Sequence, residues 1–297
     1  MTATTIVARL GRRLGNLGAS GWFGLVLVVC LLGIAFVGPL VGGNPTAVVG
    51  APLEPFSRAH PLGTDLVGRD LLARILAGGW TLVLSALVTT ALAYAVAVPL
   101  GLIAAVRRGW SDNLITRAAD VGLAVPPLIL LLVLVASLSP GMFVVVIAIA
   151  AAEVPGLIRI TRAAAVEVSV LSFVESARLR GMGPWVVAFR EVLPNILPTM
   201  LTDLGFRFTI SILSIAAANY LGLGLQPPAA DWGLMVSENQ AALQIDAWPV
   251  VIPGLMVVLL TIGGNLLVDA LMYERPGDLP DEIEMTIGGL LPGDQRE

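Results

Sequence analysis

Residues 172–198 read SFVESARLRGMGPWVVAFREVLPNILP, a polar, arginine-bearing island between long apolar runs. The pattern predicts a short helix ending near Arg180, a Gly181-x-Gly183-Pro184 corner, a second short helix, and a stop at Leu193-Pro194. Pro184 suits the first turn of a new helix, where its missing N–H costs nothing. Gly181 and Gly183 permit a sharp reversal of the backbone before it. An L-shaped helix pair on the wet side of a membrane has the form of a docking element for another protein.

The rest of the chain supplies the membrane. Apolar residues make up 57% of the 297 residues and charged residues 13%, and mean hydropathy is +0.89. Soluble domains are about a quarter charged. Six apolar windows approach the ~20 residues that cross a bilayer as helix: 21–41, 80–105, 118–138, 142–161, 196–220 and 248–272. The expected fold class is therefore all-α and polytopic, because a helix satisfies its own backbone in lipid. The expected organisation is a tail over 1–20, a six-helix domain over 21–272 with a loop at 42–79 and a docking loop at 163–195, and a tail over 273–297. That last segment is acidic and rich in proline and glycine.

The arginines orient the spans. Arg9, Arg12 and Arg13 precede the first span, and Arg107, Arg108 and Arg117 lie between the second and third. Arg159, Arg162, Arg178, Arg180 and Arg190 surround the island, and Arg275 and Arg296 follow the last span. The loops at 139–141 and 221–247 have no arginine. Both termini and the island are thus expected on the cytoplasmic side. Only the 42–79 loop breaks the asymmetry, with Arg58, Arg69 and Arg74 set against Glu54, Asp65 and Asp70. The arginines before the first apolar run, which lacks a cleavage site, mark it as a retained span and not a leader.

Several functions are excluded. All 17 basic residues are arginine, so no phosphate loop with its lysine is present. Cys30 and His60 are single. A lone thiol forms no internal disulfide, and no His-based metal cluster or catalytic triad can be assembled. No catalytic or metal-ligating residue is expected; the net charge of −4 says little about partners, and no nucleic-acid partner is expected.

Within the 42–79 loop, Thr64 or Asp65 can cap a short amphipathic helix. Asp70 and Arg74 would then pair at i, i+4. Arg207 lies near the middle of the fifth span with Asp203 four residues earlier. A charge there must face a partner or a wet cavity, and an Asp203–Arg207 ion pair inside the bundle is the expected arrangement; contact between Arg207 and a solute carboxylate is the other reading. Glu153 is expected to meet an arginine in the bundle in preference to a solute amine. Pro126-Pro127 and Pro155 should kink or break their spans. Trp232 reads either as an interfacial residue or as a docking residue.

Three signatures in order carry a resemblance. HPLGTDLVGRDLLARILAGG lies at 60–79, the island supplies Glu175, Ala177 and Gly181 followed by Leu193-Pro194-Asn195, and LGLGLQPPAADWGLMV lies at 221–236. The island resembles the coupling loop of ABC-transporter permease subunits. Together the three are similar to the C-type permease subunit of the dipeptide/oligopeptide/nickel importer family over roughly residues 20–272. Ser176 stands where that family usually has alanine, Glu153 is unusual before Pro155, and the acidic tail departs from the family's ending.

The resemblance implies a type I ABC importer permease fold in a bacterial plasma membrane. It implies a homologous B-type permease subunit with which this one encloses a path, two ABC ATPase subunits that bind ATP and magnesium, and an extracytoplasmic solute-binding protein. This chain itself would hold no cofactor. Glu175, Ser176, Ala177, Arg178, Gly181 and Arg190 would form the ATPase-coupling loop. Short peptides are the implied cargo, with nickel or another small solute as the alternative. A secondary transporter would show internal repeats, and an intramembrane protease would need paired aspartates or a Ser/His set within its spans; the sequence has neither.

Overall fold

The computed structural model describes residues 18–107 and 109–272. The remainder of both tails, with Arg9, Arg12, Arg13, Arg275 and Arg296, and also Arg108, lies outside the described residues. Among the described residues the regular elements are helical, apart from isolated bridges at Val48–Arg69 and Thr64–Asp70. Five helices are long and apolar enough to cross a membrane: α1 (Ala19–Val41), α2 (Leu71–Arg107), α5 (Met142–Ser169), α7 (Pro184–Tyr220) and α9 (Trp248–Met272). Two shorter helices, α3 (Trp110–Leu123) and α4 (Pro127–Leu138), meet at 86° and make a sixth span if taken together. Short helices α6 (Ser172–Leu179) and α8 (Trp232–Asn239) complete the set.

The break expected at Pro126-Pro127 within the 118–138 span is present. Val125 precedes Pro126 and Pro126 precedes Pro127, and each proline disfavours helical backbone in the residue before it. Pro126 accordingly sits at φ −60°, ψ 131°, and α4 starts afresh at Pro127. Pro155, by contrast, is accommodated inside the continuous helix α5.

The expected helix within 42–79 and its Asp70–Arg74 pair are also overturned. The second span starts at Leu71, well before residue 80, and Asp70 is its cap, with Oδ1 accepting from the N–H groups of Leu72 (2.8 Å) and Ala73 (3.2 Å). Asp70 Oδ2 lies 3.1 Å from His60 Nδ1. Residues 60–70 form turns, and neither Thr64 nor Asp65 caps a helix. A carboxylate two residues before the first free N–H groups satisfies them and favours the positive end of the helix dipole.

Helix α2 organises the bundle. Its 37 residues span ~55 Å at ~1.5 Å per residue. Near its start, Leu71, Ile75 and Leu82 share a core with Ile212, Ile215, Trp232 and Met235. Near its end, Leu102, Ile103, Ala105 and Val106 share another with Val174, Ala177, Val187 and Ala188. Small residues on its middle, Ala86, Ala93 and Ala97, are buried and permit the close helix approach that replaces hydrophobic drive in lipid.

At the Leu71 end, segments 48–70 and 226–247 make a cap. Asp65 is its hub. Oδ1 accepts from the N–H groups of Val67 and Arg69, both at 2.9 Å. Oδ2 accepts from Arg69 Nε and Arg74 Nη1, both at 2.7 Å. Glu238 of α8 pairs with the same two arginines, and Arg74 Nη2 also donates to the Ala229 carbonyl at 3.0 Å. Burial by itself pushes the Asp65 carboxyl up. The Arg69 N–H, the Arg74 and Arg69 guanidinium groups and the Val67 N–H outweigh it and hold the group below the usual carboxylate range. Trp232 is neither interfacial nor a docking residue. It is fully buried, and its Nε1 donates to the Ile75 carbonyl at 2.9 Å.

Candidate coupling surface and intramembrane network

Helix α6 closes on a Schellman motif. Gly181 N donates to the Arg178 carbonyl (2.9 Å) and Met182 N to the Ala177 carbonyl (3.2 Å), which satisfies two carbonyls at the helix end. The geometry needs a left-handed residue, and Gly181 has φ +80° with no atom within 4 Å of a built Cβ. Met182 packs back on the core beneath. Gly183, at φ −64°, has no such requirement.

The second arm differs from expectation. It does not end at Leu193-Pro194 but runs on as α7 to Tyr220, through a π-helical turn over Val187–Val192. Pro194 lacks an N–H and crowds the carbonyl four residues back; a π turn is a recognised way for a helix to absorb such a break. Asn195 Nδ2 donates to the Glu191 carbonyl at 2.6 Å. The corner thus continues as one helix into a membrane span.

The two faces of this corner are chemically distinct. Val174 and Ala177 are fully buried against Val187, Ala188 and the end of α2. Glu175, Ser176, Arg178 and Arg190 are exposed. So are large apolar groups that the sequence reading passed over. Leu179 is 83% exposed and Trp185 51%, and Trp185 stacks on Phe189 with ring centroids 5.8 Å apart. An exposed aromatic and aliphatic patch rimmed by arginines is the usual chemistry of a protein-binding surface. Their signal in the sequence was their placement: bulky apolar residues inside the one polar island of a lipid-facing chain.

A second constellation lies within the bundle. Arg207 Nε donates to Asp203 Oδ2 at 2.6 Å, and Arg207 Nη1 to the Glu153 carbonyl at 3.2 Å. Tyr94 Oη donates to Asp203 Oδ2 at 2.8 Å and lies 2.9 Å from the Met200 carbonyl. Glu153 Oε1 accepts from Ser211 Oγ at 2.7 Å, and Ser211 Oγ is 3.2 Å from Thr90 Oγ1. Asp203, Arg207 and Glu153 are about nine-tenths buried. Among the described residues no arginine forms an ion pair with the Glu153 carboxylate. Arg207 is drawn to Asp203 one turn below, and what it takes from Glu153 is the main-chain oxygen. Packing Pro155 against Gly122, where an added Cβ would come within 2.6 Å, sets this network beside the α3–α4 break. Among the described residues no group of three or more His, Cys, Asp or Glu side chains could hold a metal ion.

Residues 97–273 match the family described as "Binding-protein-dependent transport system inner membrane component". The chain is 34% identical over 248 residues to the probable D,D-dipeptide transport system permease protein of Escherichia coli (strain K12), covering 83% of each chain. It is 35% identical over 262 residues to the di/tripeptide transport system permease protein of Pseudomonas aeruginosa (strain UCBPP-PA14), covering 86% of each. It is 34% identical over 215 residues to the glutathione transport system permease protein of Pectobacterium atrosepticum, covering 72% of this chain and 71% of that one. In fold it is similar to a chain of the MetNI methionine ABC transporter in an inward-facing crystal form. The TM-score is 0.53 at 17% identity, over 68% of this chain and 97% of that one.

Proposed function

Because the chain belongs to the family of binding-protein-dependent transport system inner membrane components, we propose that it is the permease subunit of an ATP-driven bacterial importer of short peptides. Peptide cargo is inferred from relatives named for dipeptide, di/tripeptide and glutathione transport. In this reading the chain encloses a path with a homologous permease subunit and catalyses no reaction itself. ATP and magnesium are handled by two ATPase subunits, and an extracytoplasmic binding protein delivers the solute. The termini and the α6 corner face the cytoplasm, and the Asp65 cap faces outward.

The observation that carries the coupling role is the α6 corner. It has a buried face, a glycine-dependent turn and an exposed apolar patch among arginines, and it continues as one helix into span α7. Glu175, Ser176, Arg178 and Arg190 would contact the ATPase from this surface, and Ala177 and Gly181 would set its shape. The test is reconstitution of the chain with its partner permease, ATPases and binding protein in liposomes. ATP-dependent accumulation of labelled di- and tripeptides is expected, with none when the permease is omitted. Accumulation of nickel and not of peptides would overturn the cargo; ATP hydrolysis by the purified chain alone would overturn the division of labour.

A further inference from the structure

The cap is held by charges that have nowhere else to go. Asp65 and Arg74 are fully buried, and Arg69 is nearly so. Two carboxylates, Asp65 and Glu238, face two guanidinium groups, Arg69 and Arg74, each carboxylate pairing with both arginines, so the cluster is neutral as a set. The four groups come from three elements: the 48–70 segment, the first turn of α2, and α8. The contacts around them bind the same three elements. Leu66 N donates to Asn239 Oδ1 at 2.9 Å, which joins segments more than 170 residues apart. Asp231 caps α8 through the N–H groups of Gly233 (2.9 Å) and Leu234 (3.2 Å). The backbone of α2 lies directly beneath: a Cβ on Gly78 would meet Asp231 at 3.2 Å, and one on Gly79 would meet the Trp232 ring at 2.6 Å. Phe56, from the first segment, reaches Trp248 at the start of α9, with ring centroids 5.9 Å apart.

Opening a gap between these segments would break the Arg69–Glu238 pair, and with it either Asp65–Arg74 or Arg74–Glu238, among groups that are almost wholly buried. A buried ion pair that loses one partner is strongly destabilised, and Arg74 is fully buried. We propose that segments 48–70 and 226–248 and the first turns of α2 stay joined throughout the transport cycle and move as one body. The gate of the path then lies elsewhere than between these two segments. The proposal rests on the reading of the chain as an ATP-driven importer subunit, since it concerns the cycle of that machine.

The decisive measurement is hydrogen–deuterium exchange on the unmodified, reconstituted complex, at rest and during ATP turnover with binding protein and dipeptide. The amide of Leu66 reports on the junction directly, because its acceptor belongs to the other segment. The amides of Val67 and Arg69 report on the Asp65 hub. Exchange rates at all three within about twofold between the two states are expected. Tenfold faster exchange at Leu66 during turnover would overturn the proposal. A second arm uses Phe56→Cys with Trp248→Cys in a Cys30→Ala background, bridged by a short bifunctional thiol reagent. Uptake after bridging should stay within about twofold of the unbridged pair. Uptake abolished by bridging and restored by reduction would also overturn it. Absence of peptide uptake by the unmodified complex would instead count against the peptide-importer reading, so the two failures are told apart.

Discussion

Removing Asp203 and Arg207 singly and together separates a structural ion pair from a solute contact. In Arg207→Leu the carboxylate of Asp203 keeps one donor, the Tyr94 hydroxyl at 2.8 Å. In Asp203→Leu the guanidinium keeps only the Glu153 carbonyl at 3.2 Å. Breaking a buried pair from one side costs about 3–5 kcal/mol, and the partner left behind sets where in that range each falls. Arg207→Leu should lie near the lower end and Asp203→Leu near the upper. The double substitution leaves neither member of the Asp203–Arg207 pair without its partner, and Tyr94 can still donate to the Met200 carbonyl at 2.9 Å. Replacing a buried pair by apolar groups is often close to neutral, so the double should cost below about 2 kcal/mol and be milder than either single. Tyr94→Phe removes one neutral donor; interhelical hydrogen bonds in membranes average about 0.6 kcal/mol, so it should be the mildest of all. The assay is the denaturation midpoint and yield of the assembled complex, with uptake of free-carboxylate and C-terminally amidated peptides in parallel. A double mutant no more stable than Arg207→Leu, with selective loss of free-carboxylate peptides, would refute the structural pairing and assign Arg207 to the solute.

Gly181→Val should leave the chain inserted but uncouple uptake from ATP hydrolysis. It forces φ +80° on a branched residue at roughly 1–2 kcal/mol, whereas Gly183→Ala should be silent in the same assay. Trp185→Ala with Phe189→Ala should weaken ATPase-subunit binding, measured by co-purification, without changing membrane insertion; unchanged binding would remove the patch from the interface. Glu175→Ala should reduce substrate-stimulated ATPase activity less than Gly181→Val, because it deletes a contact and keeps the shape. For acid, the folded-state pKa of Asp65 is depressed from 3.8. Its contribution to stability is therefore present above that value and is lost as pH falls through the native one. The denaturation midpoint should drop below about pH 3.8, and Asp65→Asn should lack that component.

What the sequence disclosed and what it withheld divide along the range of the interactions. The Gly181 turn and the Asp203–Arg207 spacing are local, set within four residues, and could be read directly. The break at Pro126-Pro127 was visible as a possibility, but the 86° bend depends on what α5 packs against. Arg74 was assigned the wrong partner because Asp70 is four residues away, while Glu238 is 164 residues away. Trp232 looked interfacial for the same reason: nothing near it in sequence shows that Ile75 offers it a carbonyl. The second arm of the corner was expected to stop because Pro194 is a strong local signal, and the π turn that absorbs it has no signature of its own. The exposed Leu179, Trp185 and Phe189 went unnoticed because a chain that is 57% apolar hides three more apolar residues.

Helix α2 has a further consequence, for the lipid. A rod of ~55 Å exceeds the ~30 Å hydrocarbon layer by nearly half its length, and both of its ends are packed into protein. The distance between the Asp65 hub and the Ala177 corner is thus fixed by the chain and not by the thickness of the bilayer. A thinner or thicker membrane can tilt the subunit or pucker around it, yet it cannot stretch the spacing between its two ends. Such a subunit keeps its own internal ruler, and its mechanical register should hold in acyl chains of widely different length.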